Sequence, residues 1–230
     1  MTLQKVIALI PAAGTSQRMG GAGPKLLQEI AGRTILERTL DTLCSIPELD
    51  RLVLITRDEF RQEVSSVTSH FSGKNIELIT GGASRQASVF CGLEHIKDSS
   101  PDTLVLIHDA ARCLVSPAVI REAISAAHKF GAVTTAVRVV DSLKSVSADM
   151  LVKKSISRDE VWAVQTPQIF RYDLLRRAHE ASSTESTDDA SLVEKIHPVH
   201  VVEGDRINFK ITTPEDLEIA AKLCQTPEKG

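Results

Sequence analysis

The sequence predicts an α/β fold: a mostly parallel, twisted sheet with helices on both faces and a projecting β-arm inserted at about residues 138–160. Three observations lead there. Short β-rich runs alternate with helical stripes through Val137. The first run, Val6 to Ile10, is apolar at every position, as expected of a strand covered on both faces. The alternation then stops over a polar, β-branched stretch with no helical stripe, from Arg138 to about Arg158.

After Val6–Ile10 and a glycine-rich loop, Ile35, Leu36, Thr39, Leu40 and Leu43 fall on one helical face. Leu52 to Thr56 reads as the next strand, followed by a polar helix from about Asp58. Ile76 to Thr80 is a third strand, and Val89, Leu93 and Ile96 mark the helix after it. Leu104 to Ile107 is a fourth, ending in His108-Asp109. Val119, Ile120, Ala123, Ile124 and Ala127 make another stripe before Ala132 to Val137 returns to strand. Long structureless loops are uncommon in compact domains, so the Arg138–Arg158 stretch is expected to be a two-stranded arm. The last helix announces itself at Thr213-Pro-Glu-Asp: a Thr cap, Pro at the first helical position, and an acid three residues after the cap. No internal repeat or low-complexity linker divides the chain, so residues 1–230 are expected to form one domain with an insertion.

Bulk composition excludes several classes. With 27 Lys+Arg against 30 Asp+Glu, the net charge of -3 offers nucleic acid no global attraction. Aromatics are only 3%, too few for a base-stacking platform. The apolar start is too short to span a membrane and lacks a signal peptide's cationic leader, so no membrane association is expected. Cys44, Cys91, Cys113 and Cys224 are scattered with no C-x-x-C pair, which suits a reducing cytoplasm. The seven histidines contain no H-x-x-H or H-x-x-x-H pair, arguing against zinc.

Three segments carry the chemistry. Pro11-Ala-Ala-Gly-Thr-Ser-Gln-Arg-Met-Gly-Gly-Ala-Gly-Pro-Lys25 follows the first strand, where open α/β sheets bind ligands. Ala12, Ala13 and Gly14 let backbone N–H groups approach an anion, while Arg18 and Lys25 supply two cations that could grip a triphosphate. Neither G-x-x-x-x-G-K-[ST] nor G-x-G-x-x-G fits here, disfavouring P-loop and dinucleotide folds; a surface loop with incidental charges is the competing reading. Gly81-Gly-Ala-Ser-Arg-Gln-Ala-Ser88 again joins a strand to a helix. Gly82 permits close backbone approach to a ring or ribose, Ser84 is a plausible cap, and Arg85 and Ser88 would face the same crevice; a simple strand-to-helix turn fits equally. In Leu106-Ile-His-Asp-Ala-Ala-Arg112, Asp109 ends a buried strand and is well placed to hold Mg²⁺, with a cap or turn role as the alternative. His108 is expected to be packed rather than ligating, and Cys113 structural.

These segments, with Trp162…Thr-Pro-Gln168, Thr187-Asp-Asp-Ala-Ser191 and Asn208-Phe-Lys…Pro-Glu-Asp216, follow one another in an order that resembles the 2-C-methyl-D-erythritol 4-phosphate cytidylyltransferases. The likeness runs from Val6 to the last helix. It implies a Rossmann-like nucleotidyltransferase domain with a CTP site made from Ala12, Ala13, Gly14, Gly82, Arg85 and Ser88. It also implies that Arg18 and Lys25 stabilise the transition state at the α-phosphate, with Asp109 on Mg²⁺. Arg158 and Lys210 would hold the phosphate of a small polyol phosphate, beside Arg112, Ser142, Thr166 and Thr187. The arm would cross to a second subunit, making a homodimer in which Arg158 serves the neighbour's site. Ser16, Ala83 and Ser142 depart from residues common in the family, and none of these departures removes a needed charge.

The implied reaction is in-line attack of a substrate phosphate oxygen on the α-phosphorus of CTP. A phosphate monoester, with a second pKa of about 6, is already largely ionised and needs little help from a base. That accounts for motifs rich in cations and glycines but without a Ser-His-Asp set. Two alternatives remain at this level: a ribitol-5-phosphate cytidylyltransferase, and a nucleotide-binding regulatory module without catalysis.

Overall fold

The computed structural model describes residues 6–14, 25–71 and 73–225. In chain order they form β1 (Val6–Pro11), the two-residue strands β2 (Glu29–Ile30) and β3 (Arg33–Thr34), α1 (Ile35–Cys44), β4 (Leu49–Thr56), α2 (Arg61–Thr68) and β5 (Ile76–Thr80). Then come α3 (Arg85–His95), β6 (Leu104–Ile107), α4 (Pro117–Phe130), β7 (Ala132–Arg138), β8 (Leu143–Val146) and β9 (Val152–Ile156). The last elements are β10 (Trp162–Arg171), α5 (Tyr172–Glu180), α6 (Ala190–Val193), β11 (His200–Glu203) and α7 (Pro214–Gln225).

Seven strands make the central sheet in the order β11-β7-β10-β6-β1-β4-β5. β1 lies parallel to β4 and β6, β4 to β5, and β11 to β7. β10 alone runs antiparallel, between β6 and β7. From β1 the chain builds outward through β4 and β5, then crosses back to place β6 on the other side of β1. A crevice opens at the carboxyl ends of the strands where that order reverses. Pro11-Ala-Ala-Gly14 leaves β1 there, and His108-Asp109 leaves β6 beside it. The His108 N–H donates to the Leu9 carbonyl at 3.1 Å, which keeps the two exits together.

Strand periodicity explains why β1, β6 and the Leu52–Ile55 stretch of β4 are apolar throughout. Val6, Ala8, Ile10, Leu52, Leu54, Leu104 and Leu106 enter one core, shared with residues of α1, α2, α4 and α7. Ile7, Leu9, Val53, Ile55, Val105 and Ile107 enter the other, beneath α3, α5 and α6. Each residue step turns the side chain to the opposite face, so both must be apolar when helices cover both.

The helix starts are written locally. Thr34 and Glu37 close a capping box on α1, the Ser84 hydroxyl accepts from the Ala87 N–H at 3.2 Å, and Ser116 precedes Pro117 at the start of α4. At α7, Thr213 Oγ1 accepts from the Asp216 N–H while Asp216 Oδ2 accepts from the Thr213 N–H. No helix among the described residues is long and apolar enough to cross a membrane.

Periodicity assigns no element between 159 and 212, yet the structure places β10, α5, α6 and β11 there. Pro167 interrupts β10, and the β10–β7 register shifts between Val164 and Gln168 to accommodate it. The strand is half exposed before that point and buried after it, so neither a period of two nor an apolar run stands out. Upstream of it, β8 and β9 pair antiparallel as a separate two-stranded ribbon. β9 is exposed at every residue, and the ribbon's turn carries Met150 and Leu151 at 81% and 68% exposure.

Candidate active site

Asp109 is the centre of the crevice, and a hydrogen-bond chain through Thr166 and His108 to Arg112 steadies its backbone. Its N–H donates to Thr166 Oγ1 at 3.0 Å. That hydroxyl meets His108 Nδ1 at 3.1 Å, and His108 Nε2 meets the Arg112 carbonyl at 3.1 Å. A carbonyl can only accept, so Nε2 carries the hydrogen and Nδ1 accepts from Thr166. The assignment requires a neutral ring, and burial pushes His108 down to about 4. β10 supplies Thr166 because its antiparallel register puts Gln168 opposite Ile107, next to the end of β6.

This buried ring has a consequence for stability. Between its ordinary pKa of 6.5 and about 4, the unfolded chain binds a proton that the folded chain excludes. His108 therefore contributes its full stability above pH 6.5, and that contribution is lost as pH falls toward 4. Urea-unfolding midpoints measured from pH 7 to pH 4 should decline less steeply in His108→Asn than in the unsubstituted protein. Parallel declines would remove His108 from the account.

Around the Asp109 carboxylate stand three cations. Arg85 Nε donates to Oδ1 at 3.0 Å, Lys210 Nζ reaches Oδ2 at 2.9 Å, and Arg112 Nε lies 3.8 Å from Oδ2. Burial disfavours the ionised acid, but Arg85 and then Lys210 outweigh it and hold Asp109 well below the ordinary carboxylate range. Arg85 also donates through Nη1 to Asp189 Oδ2 at 2.7 Å, and its own pKa is raised: burial opposes the charge, and Asp189 and Asp109 more than compensate. Arg112 Nη1 donates to the Asn208 carbonyl at 2.9 Å, while its buried Nε finds no hydrogen-bond partner among the described residues. Lys210, at 39% side-chain exposure, is the cation best able to leave Asp109 for an incoming anion.

Two further loops close on this cluster. Lys25 Nζ donates to the Ile211 carbonyl at 2.6 Å, and the Ile211 N–H donates to the Ala111 carbonyl at 3.0 Å. The end of the first loop, the Lys210 segment and the Asp109 segment are thereby tied together. Gly81 and Gly82 leave β5 toward the loop that follows β1: a Cβ on Gly81 would come within 3.1 Å of Ala13 Cβ, and one on Gly82 within 2.9 Å of the Ala87 backbone. Glycine is needed at both because the loop packs against backbone and small side chains. Ser88 is buried below it and donates to the Ser84 carbonyl at 2.8 Å. Ala12 is buried, Ala13 partly so, and Gly14 is exposed at the lip.

The structure thus brings Lys25, Asp109, Arg85, Arg112, Thr166 and Lys210 into one connected cluster. Thr166 turns its hydroxyl inward to His108 and the Asp109 backbone. Ser142 and Thr187 are exposed, and the Arg158 guanidinium donates to the Val140 carbonyl at the base of the ribbon. Arg18 and Ser16 lie outside the described residues. Among the described residues no three His, Cys, Asp or Glu side chains converge as a metal site. Burial pushes the Cys113 thiol up to about 12, which suits a packing residue. Sequence reasoning missed Asp189, His179, Gln168 and Asn208 as members of the site's surroundings. Gln168, Asp189 and Asn208 stand inside the family-like motifs, but Arg85 and its partner Asp189 are 104 residues apart, a distance no local pattern spans.

The sequence profile of the family described as "IspD: 2-C-methyl-D-erythritol 4-phosphate cytidylyltransferase" matches residues 6–225. A 2-C-methyl-D-erythritol 4-phosphate cytidylyltransferase of Dehalococcoides mccartyi is 39% identical over 224 residues, covering 96% of this chain and 97% of its own. One of the same name from Thermosynechococcus vestitus is 39% identical, covering 94% of each chain. Among solved structures, the 4-diphosphocytidyl-2C-methyl-D-erythritol synthase of Anaerococcus prevotii superposes with a TM-score of 0.83 at 34% identity, covering 97% of this chain and 99% of its own. The 2-C-methyl-D-erythritol 4-phosphate cytidylyltransferase of Thermus thermophilus does so with a TM-score of 0.80 at 34% identity, covering 96% and 100%.

Proposed function

The chain belongs to the 2-C-methyl-D-erythritol 4-phosphate cytidylyltransferase family, and from that premise we propose how its residues divide the work of cytidylyl transfer. It transfers CMP from CTP to 2-C-methyl-D-erythritol 4-phosphate and releases pyrophosphate, in the isoprenoid pathway. The observation that carries the residue assignment is the buried, ionised Asp109 ringed by Lys210, Arg85 and Arg112 where the strand order reverses.

A phosphate oxygen of the substrate forms the new bond to the α-phosphorus as the bond from that phosphorus to the bridging oxygen of pyrophosphate breaks. The electron pair leaves with pyrophosphate, and no base is needed because the attacking phosphate is already ionised. Ala12, Ala13, Gly14 and the Gly81-Gly82 turn form the nucleotide wall, with Arg85 and Ser88 behind it. Lys25, with Arg18, neutralises charge that grows on the α-phosphoryl oxygens and the leaving group. Lys210 and Arg112 would meet the substrate phosphate, and swinging Lys210 from Asp109 onto that phosphate couples binding to exposure of Oδ2. Thr187 is exposed and would contact the substrate.

Magnesium fits this donor set. Asp109 remains ionised, and one carboxylate oxygen freed from Lys210 is what a Mg²⁺ ion liganded mainly by nucleotide phosphates requires. When bound, the ion would draw charge from the triphosphate. Four free thiols suit a reducing cytoplasm.

The chain is proposed to act as a homodimer, with the exposed ribbon as the arm. Met150 and Leu151 offer the apolar surface, while Arg158 and Ser142 would act at the partner's site. Lys210→Ala and Arg158→Ala should each be inactive alone, yet mixing them after dissociation should restore about one quarter of normal activity. Half of the mixed dimers are heterodimers, and each has one intact site. No recovery on mixing would place Arg158 in its own subunit's chemistry, and an Arg158→Ala variant active on its own would place it outside the chemistry.

The reaction is tested by pyrophosphate release with CTP and Mg²⁺, comparing 2-C-methyl-D-erythritol 4-phosphate with ribitol 5-phosphate. Release with the first alone is expected. Preference for the second would keep the mechanism and change the substrate. CTP binding without release would indicate a regulatory module.

A further inference from the structure

Behind Asp109 the ion pairs continue into the interior. Arg85 is shared between two acids: Nε serves Asp109 Oδ1, and Nη1 serves Asp189 Oδ2. Asp189 is 1% exposed at its side chain, and its other oxygen meets Nε2 of the equally buried His179 at 2.9 Å. Gln168, wholly buried on β10, accepts from the Asp189 and Ala190 N–H groups at 3.1 and 3.0 Å and donates to Asp188 at 2.7 Å. Asp189 is therefore held at its backbone by the sheet and at its carboxylate by α5. A buried acid secured this firmly, without reaching the crevice, is a device for aiming Arg85.

We propose that Asp189, held by His179 and Gln168, is a positioning residue that keeps Arg85 from closing on both oxygens of Asp109. A guanidinium beside a single carboxylate favours two parallel N–H···O bonds. With Nη1 committed to Asp189, the guanidinium is held in the orientation in which Nε alone meets Asp109, at Oδ1, and Oδ2 remains with Lys210. Once the Asp189 charge is lost, Arg85 turns onto both oxygens of Asp109 and displaces Lys210. The site then loses the Lys210-facing oxygen on which substrate and metal binding depend. Lysine in place of Arg85 is a point charge that cannot span two acids as a fork, so that background lacks the property Asp189 controls.

The inference rests on the cytidylyltransferase reading, so turnover by the unsubstituted protein is established first; its absence would overturn that reading and not this one. Asp189→Asn should then lower kcat/KM by on the order of tenfold or more, as with other partners that hold a site group from behind. It should also weaken CTP binding measured by calorimetry in the presence of Mg²⁺. In an Arg85→Lys background the same substitution should change kcat/KM little, because coupled groups are not additive. Equal losses in both backgrounds would reduce Asp189 to a folding residue and overturn the proposal. Thermal midpoints are recorded for every variant. If Asp189→Asn does not fold, His179→Leu and His179→Gln carry the test: leucine should reproduce the kcat/KM loss in the Arg85 background only, and glutamine, which keeps an N–H donor for Asp189, should recover most of it. A leucine variant as active as the unsubstituted protein would equally overturn the proposal.

Discussion

Lys25→Ala should lower turnover by on the order of a hundred- to a thousandfold, the range seen when one preorganised group that stabilises transition-state charge is removed. Stability should fall much less than turnover. The hydrogen bond from the charged Nζ to the Ile211 carbonyl, in a partly buried setting, is worth about 1.5–3 kcal/mol net. The loss should fall on kcat more than on the KM for CTP, because the charge Lys25 meets grows as pyrophosphate departs. Pyrophosphate release under saturating CTP, with a thermal midpoint alongside, separates these effects. Normal turnover, or a fall explained by unfolding, would count against the role.

Asp109→Asn should be as damaging to activity and should cost stability as well. Removing one partner of a buried ion pair leaves the others uncompensated, typically at about 3–5 kcal/mol. Arg85 keeps Asp189 and Lys210 can turn to water, so the lower end of that range is expected here. Asparagine preserves shape and the Thr166 contact, which is made by the backbone, so any change reports the charge. The expected result is loss of turnover beyond a hundredfold with a lowered denaturant midpoint. An asparagine variant that turns over normally would remove Asp109 from both the cation cluster's purpose and the proposed metal site.

Much of this fold can be read along the chain because its signals are local. Val6–Ile10 and Leu104–Ile107 declare themselves by apolar runs of strand length, and Ser84 and Thr213 cap their helices within three residues. β10 was hidden because its evidence is non-local: Pro167 disrupts the run, and burial begins only where β6 and β7 flank it. The site divides in the same way. Asp109, Lys25, Arg85, Arg112 and Lys210 are visible as charges at strand ends or within motifs, since chemistry on phosphates needs cations and a carboxylate near small residues.

By itself the sequence determined which charges this protein has for phosphoryl chemistry, which strands are buried on both faces, and to which family the whole chain is akin. Only the tertiary structure decided how those charges are paired. Arg85 stands between Asp109 and Asp189, Thr166 spends its hydroxyl on His108 and the Asp109 backbone, and Lys25 is tied to Ile211, 186 residues away in the chain. The reason is physical. Local patterns reflect torsional preference and burial of a residue's own neighbourhood, whereas an ion pair's partner is chosen by desolvation and geometry where distant segments meet.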